Sequence, residues 1–181
     1  MARVWFTSDH HFGHAGILKE SMHCRRDRHF ASVEEMDERM IAEWNAVVGP
    51  KDEIWHLGDF AYRCSLEYAE SVFRRLRGHK HLVIGNHEQR GKRLGWESRQ
   101  HYKELKLDDR DLILFHYSQR SWNKQHHGSI HLFGHSHGSL PPLGMSLDVG
   151  VDCWNFRPVS LDEIIARLDG SEDDLVLQAC A

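Results

Sequence analysis

Aspartate, histidine and asparagine recur along this chain in five short blocks: Asp9-x-His11, Gly58-Asp59, Gly85-Asn86-His87-Glu88, His116, and Gly134-His135-Ser136-His137. Each block ends an apolar run, "RVWFTSD", "EIWHLGD", "HLVIGNHE", "DLILFH" or "IHLFGHSH", so the polar residues fall where buried strands end and loops begin. Open α/β sheets place their active sites there. Carboxylate, imidazole and amide donors spread over several loops suit first-row divalent metals, whereas calcium takes an almost all-oxygen cage and structural zinc mostly sulfur. The set supplies donors for two ions, and its pattern reads as catalytic. Taken singly the blocks are ordinary: a lone His116 behind an apolar strand is more often a hydrogen-bonded core histidine, and Gly58-Asp59 more often a turn. Together they are not, because consecutive polar residues such as Asn86-His87-Glu88 directly after an apolar strand are costly to bury without partners.

The elements that must position these blocks are legible in the apolar periodicity. Arg3 to Thr7 reads as a first strand. Ser32-Val33-Glu34-Glu35 is a capping box that opens a helix with an apolar stripe through Met36, Met40, Ile41, Trp44, Val47 and Val48; Gly49-Pro50 stops it. A strand follows at 53–57, a second helix at 65–76, and a strand at 81–84, an alternation that argues for parallel pairing through βαβ crossovers. Beyond it, 102–107 and 111–115 read as a hairpin, and 129–133 and 145–151 as further strands. Ser160-Leu161-Asp162-Glu163 is a second capping box, opening a last helix through Leu168. The acidic stretch 170–174 reads as the start of a loose tail to residue 181, with 175–177 as an optional edge strand.

At 181 residues the chain fits one well-buried core and is too short for two ordinary domains, so a single domain over 1–181 is expected. The net charge of −4 argues against a protein that coats nucleic acid, so no stable nucleic-acid partner is expected, while a nucleotide substrate stays open. Cys24, Cys64, Cys153 and Cys180 have no C-x-x-C spacing and lie outside the blocks, which points away from a zinc ribbon or redox motif and towards a reducing cytoplasm. No window approaches the roughly 20 apolar residues of a membrane span, and no export signal is expected. Oligomeric state is not legible.

The five blocks, in their order, resemble the pattern of the calcineurin-like metallophosphoesterase superfamily: D-x-H, G-D, G-N-H-[DE], H and G-H-x-H. They extend from Asp9 to His137 without departure. The resemblance implies an α/β fold of two facing, mostly mixed sheets flanked by helices, an αββα sandwich with a dinuclear centre at one end. It assigns Asp9, His11 and His137 to one metal and Asn86, His116 and His135 to the other, with Asp59 bridging both. A bridging carboxylate can hold two cations about 3.5–4 Å apart, close enough to share one phosphoryl group. His87 takes the part of general acid, outside both metal shells, and Glu88 that of a supporting residue that orients His87 or a neighbouring loop. The implied reaction is in-line hydrolysis of a phosphate ester, monoester or diester, by a metal-bridging hydroxide. Manganese is the favoured metal because the donors mix oxygen and nitrogen without thiolate; iron, zinc, nickel and cobalt fit the same set.

Two look-alikes fit less well. The string "DHH" at Asp9 to His11 lacks the partner motifs of the DHH phosphoesterases, and His135-Ser136-His137 is followed by Gly138-Ser139 where metallo-β-lactamase-type hydrolases have Asp-His. Two other functions compete with this reading. A nuclease for single-stranded or damaged nucleic acid would need a positive groove that the charge does not suggest; a non-catalytic metal-binding scaffold would have no use for His87. For the substrate side, His14, Arg25 and Arg26 are candidate phosphate ligands: His14 follows the first block at a helical start, and Cys24-Arg25-Arg26-Asp27-Arg28 could form an arginine clamp or a solvated loop. Trp122 to His127 is a candidate substrate-facing loop. His56, His79, His81, His101 and His131, in or beside strands, are read as structural or surface groups.

Overall fold

A computed structural model describes residues 2–19 and 28–179. Strand β1 (Val4–Thr7) leads through a 3-10 turn (Ala15–Leu18) to helix α1 (Val33–Val47), then β2 (Glu53–His56), α2 (Leu66–Arg75), β3 (His79–Val83) and β4 (Ser98–Gln100). The second half runs β5 (Tyr102–Leu107), β6 (Arg110–Phe115), β7 (Ile130–Phe133), β8 (Ser146–Asp148), β9 (Val159–Ser160) and α3 (Leu161–Ala179). Two sheets result, ordered β4-β3-β2-β1-β9 and β5-β6-β7-β8. Each is mixed: β1 to β4 run parallel with β9 antiparallel at the edge, and β6 to β8 run parallel with β5 antiparallel. This is the expected α/β arrangement of two facing sheets.

Strand alternation sorts neighbouring residues into separate cores. Trp5, Ile54 and Leu82 face α1 and α2, where they meet Met40, Trp44, Val72 and Phe73. Phe6, Trp55 and Val83, one residue along, point into the space between the sheets and meet Leu112, Leu114, Leu132 and Leu147. Ile164 and Leu168 of α3 close that second core. Both capping boxes form. Ser32 Oγ accepts the Glu35 N–H, while Glu35 reaches one residue further back than expected, to the Ala31 N–H. Ser160 and Glu163 bond reciprocally.

The hairpin turns on Asp108 and Asp109, both at positive φ, 47° and 60°, as a two-residue I′ turn requires. Three expectations need correction. The last helix does not stop at Leu168: it continues to Ala179, through 170–177, where a loose tail or edge strand was expected. The strand expected at 145–151 is divided, because β8 pairs with β7 whereas Gly150 bridges to Ser8 of the other sheet. Strands β4 and β9 were missed, being three and two residues long, too short to show alternation.

Candidate metal centre

The five blocks converge at the C-terminal ends of β1, β2, β3, β6 and β7. Parallel pairing of β1 with β2 continues past the strands, with Asp9 N–H bonded to the Gly58 carbonyl and His11 N–H to that of Asp59, each at 3.0 Å. The two aspartates use their oxygens differently. Asp9 Oδ2 accepts the His135 N–H and Asp59 Oδ1 the His87 N–H, both at 2.8 Å, which ties the first loop to the fifth and the second to the third. The other oxygen of each is turned inwards. Asp59 Oδ2 stands 3.6 Å from His11 Nε2 and 3.6 Å from His116 Nε2.

Donor atoms gather in two groups, Asp9 with His11 and His137, and Asp59 with His116 and His135, each group within 4.8 Å. Asn86 joins the second, its Oδ1 lying 2.9 Å from His116 Nε2. His116 Nδ1 donates to the Leu57 carbonyl at 2.7 Å, so in the neutral ring Nε2 is an acceptor. Two acceptors facing each other at that distance suit a cation. Asp9 Oδ1 and His11 Nε2 are buried with no hydrogen-bond partner, an arrangement that is expensive unless an ion takes them. Burial pushes the Asp9 carboxyl up to about 6 despite the His137 and His116 charges, and pulls His11 well below the ordinary imidazole value. A cation would reverse the first shift. The residues therefore fit divalent metal.

The local backbone is as unusual as the side chains. Asp9, His11, Asp59, His135 and His137 all sit at positive φ, between 48° and 65°. Left-handed residues in alternation aim Asp9 and His11 into one donor group, whereas His135 and His137, alternating in the same way, enter different groups. Non-glycine residues adopt this region rarely, and clusters of them mark functional sites. At Gly85 and Gly134 the constraint is space: a Cβ would overlap the carboxylate of Asp59 in the first case and of Asp9 in the second.

Support comes from Asp148 and Asp152, to which the sequence reading assigned no role, and from Arg28, His56 and Glu88. His137 Nδ1 donates to Asp152 Oδ2 at 2.6 Å, the geometry by which a carboxylate orients a metal-binding imidazole. Burial alone would raise the Asp152 pKa, but the Arg28 and His137 charges outweigh it and hold it at about 2. Arg28 is fully buried; it grips Asp152 at 2.7 and 3.0 Å and donates to the carbonyls of Asp9 and His10. It ties the first loop to Asp152 and is not among the residues lining the cavity over the centre. Asp148 bonds Ser136 Oγ and the Gly138 N–H, pinning the G-H-S-H loop. His56 Nδ1 accepts the Gly58 N–H and its Nε2 meets His10 Nδ1 at 3.0 Å, both rings buried and neutral. Glu88 Oε1 accepts the Phe60 N–H at 2.6 Å, so it supports the neighbouring loop rather than His87. Asp148 and Asp152 sit inside "LDVGVDC", two acids in an apolar stretch, and that was their available signal.

One cavity covers the centre and is lined by His11, Asp59, His135 and His137 together with His14 and His87. His87 belongs to neither donor group. Its ring packs 4.2 Å from that of Tyr62, whose edge meets His14 at 4.8 Å. His14 is buried, and burial together with the Arg63 charge lowers it to about 4. Arg25 and Arg26 lie outside the described residues. The loop Trp122 to His127 faces the other way. Trp122 stacks on His131, and Lys124 pairs with Asp111 at 3.0 Å, at the start of β6. Parallel β6 and β7 explain this: the chain leaves His116 at the metal end and must return to the far end before β7 begins. The histidines read as structural are so placed; His81, for example, bonds Ser98 and Glu53 and stacks on Trp55.

By fold and ligand set, the chain belongs to the calcineurin-like phosphoesterase family, which it matches over residues 2–136. It is a metal-dependent phosphoesterase, and the family implies divalent metal ions and a phosphate-ester substrate. Similar proteins include an uncharacterized protein of Methanocaldococcus jannaschii, 29% identical over 93% of each chain. The Gene 66 protein of a mycobacterium phage is 28% identical over 97% of this chain and 100% of its own. Among solved structures, a protein of unknown function from Aquifex aeolicus shares the fold with a TM-score of 0.72 at 21% identity, covering 92% of this chain and 99% of that one. No helix among the described residues is long and apolar enough to cross a membrane.

Proposed function

We propose that the chain hydrolyses a phosphate ester at a centre of two divalent metals, manganese being favoured by the mixed oxygen and nitrogen donors. One ion is assigned to Asp9, His11 and His137, the other to Asn86, His116 and His135, with Asp59 shared. The observation that carries this reading is the position of Asp59 Oδ2, 3.6 Å from a donor nitrogen in each group. When bound, the metals would polarise the phosphoryl group and lower the pKa of the attacking water.

The chain's own residues supply the rest. His87 is assigned as the acid that gives its proton to the leaving oxygen: it lines the cavity, lies outside both donor groups, and is held by its backbone bond to Asp59. Asp59 thereby fixes the proton donor and the shared ligand position in one contact. His14, which lines the same cavity and packs on the same Tyr62 ring as His87, is assigned in its neutral form as a hydrogen-bonding ligand of the substrate phosphate. Arg28 and Asp152 hold His137 in one ring orientation. The test is metal analysis with an ester screen: two manganese ions per chain and turnover of p-nitrophenyl phosphate or bis(p-nitrophenyl) phosphate are expected, and one ion or none after reconstitution overturns the dinuclear assignment.

A further inference from the structure

Another cavity adjoins the one over the metal centre. The first measures about 500 Å³ and the second about 340 Å³, and the two share the same three wall residues, Tyr62, Arg63 and His87. Ala61, Cys64, Gln89 and Arg90 complete the second. Its charge is one-sided: Asp59 is the sole carboxylate lining the first cavity among the described residues, and none lines the second. Arg63 rests over the Tyr62 ring, 5.3 Å from its centroid, and Arg90 Nε donates to the Cys64 carbonyl at 3.4 Å. Neither guanidinium makes a salt bridge to a carboxylate among the described residues. Arg63 also holds a left-handed backbone at φ 55°, an exposed arginine placed in the dividing wall at a conformational cost.

The dividing wall gives the second cavity its meaning. A proton donor stands beside the oxygen that departs, so the leaving group extends past His87 on the side away from the metals. We infer that the second cavity is a leaving-group subsite, and that the substrate's leaving alcohol carries a phosphate of its own, held by Arg63 and Arg90. This rests on the hydrolytic reading above, with His87 at the leaving oxygen. Arginine forks bind phosphate through paired hydrogen bonds, and two of them suit a dianion better than a neutral sugar. The cavity's volume lies at the small end of the range for small-molecule sites, about 300–1,000 Å³, so it fits one phosphorylated sugar or nucleoside unit rather than a polymer strand. The step balances as ordinary hydrolysis: water oxygen bonds to phosphorus, the ester P–O bond breaks, its electron pair stays on the leaving oxygen, and His87 supplies that oxygen's proton.

The decisive measurement pairs substrates that differ only in one further phosphate, namely adenosine 3′-phosphate with adenosine 3′,5′-bisphosphate and the dinucleotide ApA with pApA and, separately, with ApAp. In whichever pair is turned over, the member whose leaving group carries the further phosphate should have a kcat/KM at least about tenfold higher, the equivalent of about 1.4 kcal/mol. The ratio should fall to near one in an Arg63→Met, Arg90→Met variant and persist in the Arg63→Lys, Arg90→Lys variant, which keeps the charge. A ratio near one in the native chain, or one unchanged in the methionine variant, overturns the subsite while leaving hydrolysis intact. If no ester is turned over, the hydrolytic reading fails, and calorimetry with hydrolysis-resistant probes decides the subsite separately. Metal-loaded protein should bind 1,3-propanebisphosphonate about tenfold more tightly than propylphosphonate, and an advantage that does not depend on the two arginines overturns the proposal.

Discussion

Within the two site aspartates the work divides by oxygen atom: one oxygen receives a backbone N–H from another ligand loop, the other is turned inwards. Asp59→Asn keeps the hydrogen bond and removes the charge between the two donor groups, so it should leave a folded chain that binds fewer than two ions and loses most activity, read by metal analysis beside a turnover assay. His87→Asn should keep its metals. General acid catalysis contributes roughly 10²–10⁴-fold, so an alkoxide leaving group should slow by about that factor and p-nitrophenolate, which departs without a proton, by much less. Equal losses on both would remove the acid assignment. Arg28 behaves differently again. Replacing it by methionine strands the buried Asp152 carboxylate, and loss of one partner of a buried pair costs about 3–5 kcal/mol, measurable by urea denaturation. The donor types at Asp9, Asp59 and His137 were visible in the sequence because metal chemistry dictates them. Arg28 and Asp152 were not, because a long-range ion pair 124 positions apart leaves no local pattern, and Arg28 sat in a charge run that resembled a solvated loop.

Strand ends set the position of every ligand block, and the strands that were legible are those long enough to alternate. The orientation of the loops between them was less legible. Trp122 to His127 has the polarity of a binding loop, yet the return stroke between parallel β6 and β7 carries it to the end of the sheet opposite the metals. Lys124→Ala should therefore leave kcat/KM within about twofold and cost no more than about 1 kcal/mol, the worth of an exposed ion pair. Gly85, at the end of β3, is the reverse case. Gly85→Ala adds a single methyl group against the Asp59 carboxylate, and should lower metal occupancy and turnover together while the far end of the sheet keeps its hydrogen-exchange protection. A sequence shows that a glycine is present; it does not show which carboxylate lies above it.

For the molecule as a whole, metal and proton are linked through the carboxyls packed beneath the site. Burial raises Glu88 to about 8, far above the roughly 4.3 of an unfolded chain, so folding favours its protonated form. Its contribution to the metal-free protein is thus fully present below about pH 4 and is lost as the pH rises towards 8. Glu88→Gln keeps an oxygen acceptor for the Phe60 N–H, and metal-free samples of this variant should show a flatter fall in melting temperature between pH 5 and 8 than the native chain. Manganese at about 100 times its dissociation constant should stabilise the native chain by about 2.7 kcal/mol, read by calorimetry against a chelated sample. The left-handed residues carry a further consequence. Five of the proposed ligands hold a conformation that favours glycine, so on this reading the metal-free fold is locally frustrated at the positions assigned to the metals. His135→Gly, at an exposed ligand with φ 65°, should make the metal-free protein more stable by up to about 1 kcal/mol while destroying its second metal position. Selection for thermal robustness alone would then erode this centre one ligand at a time, and a family member that has lost such ligands to glycine should be read as relaxed from catalysis rather than damaged in folding.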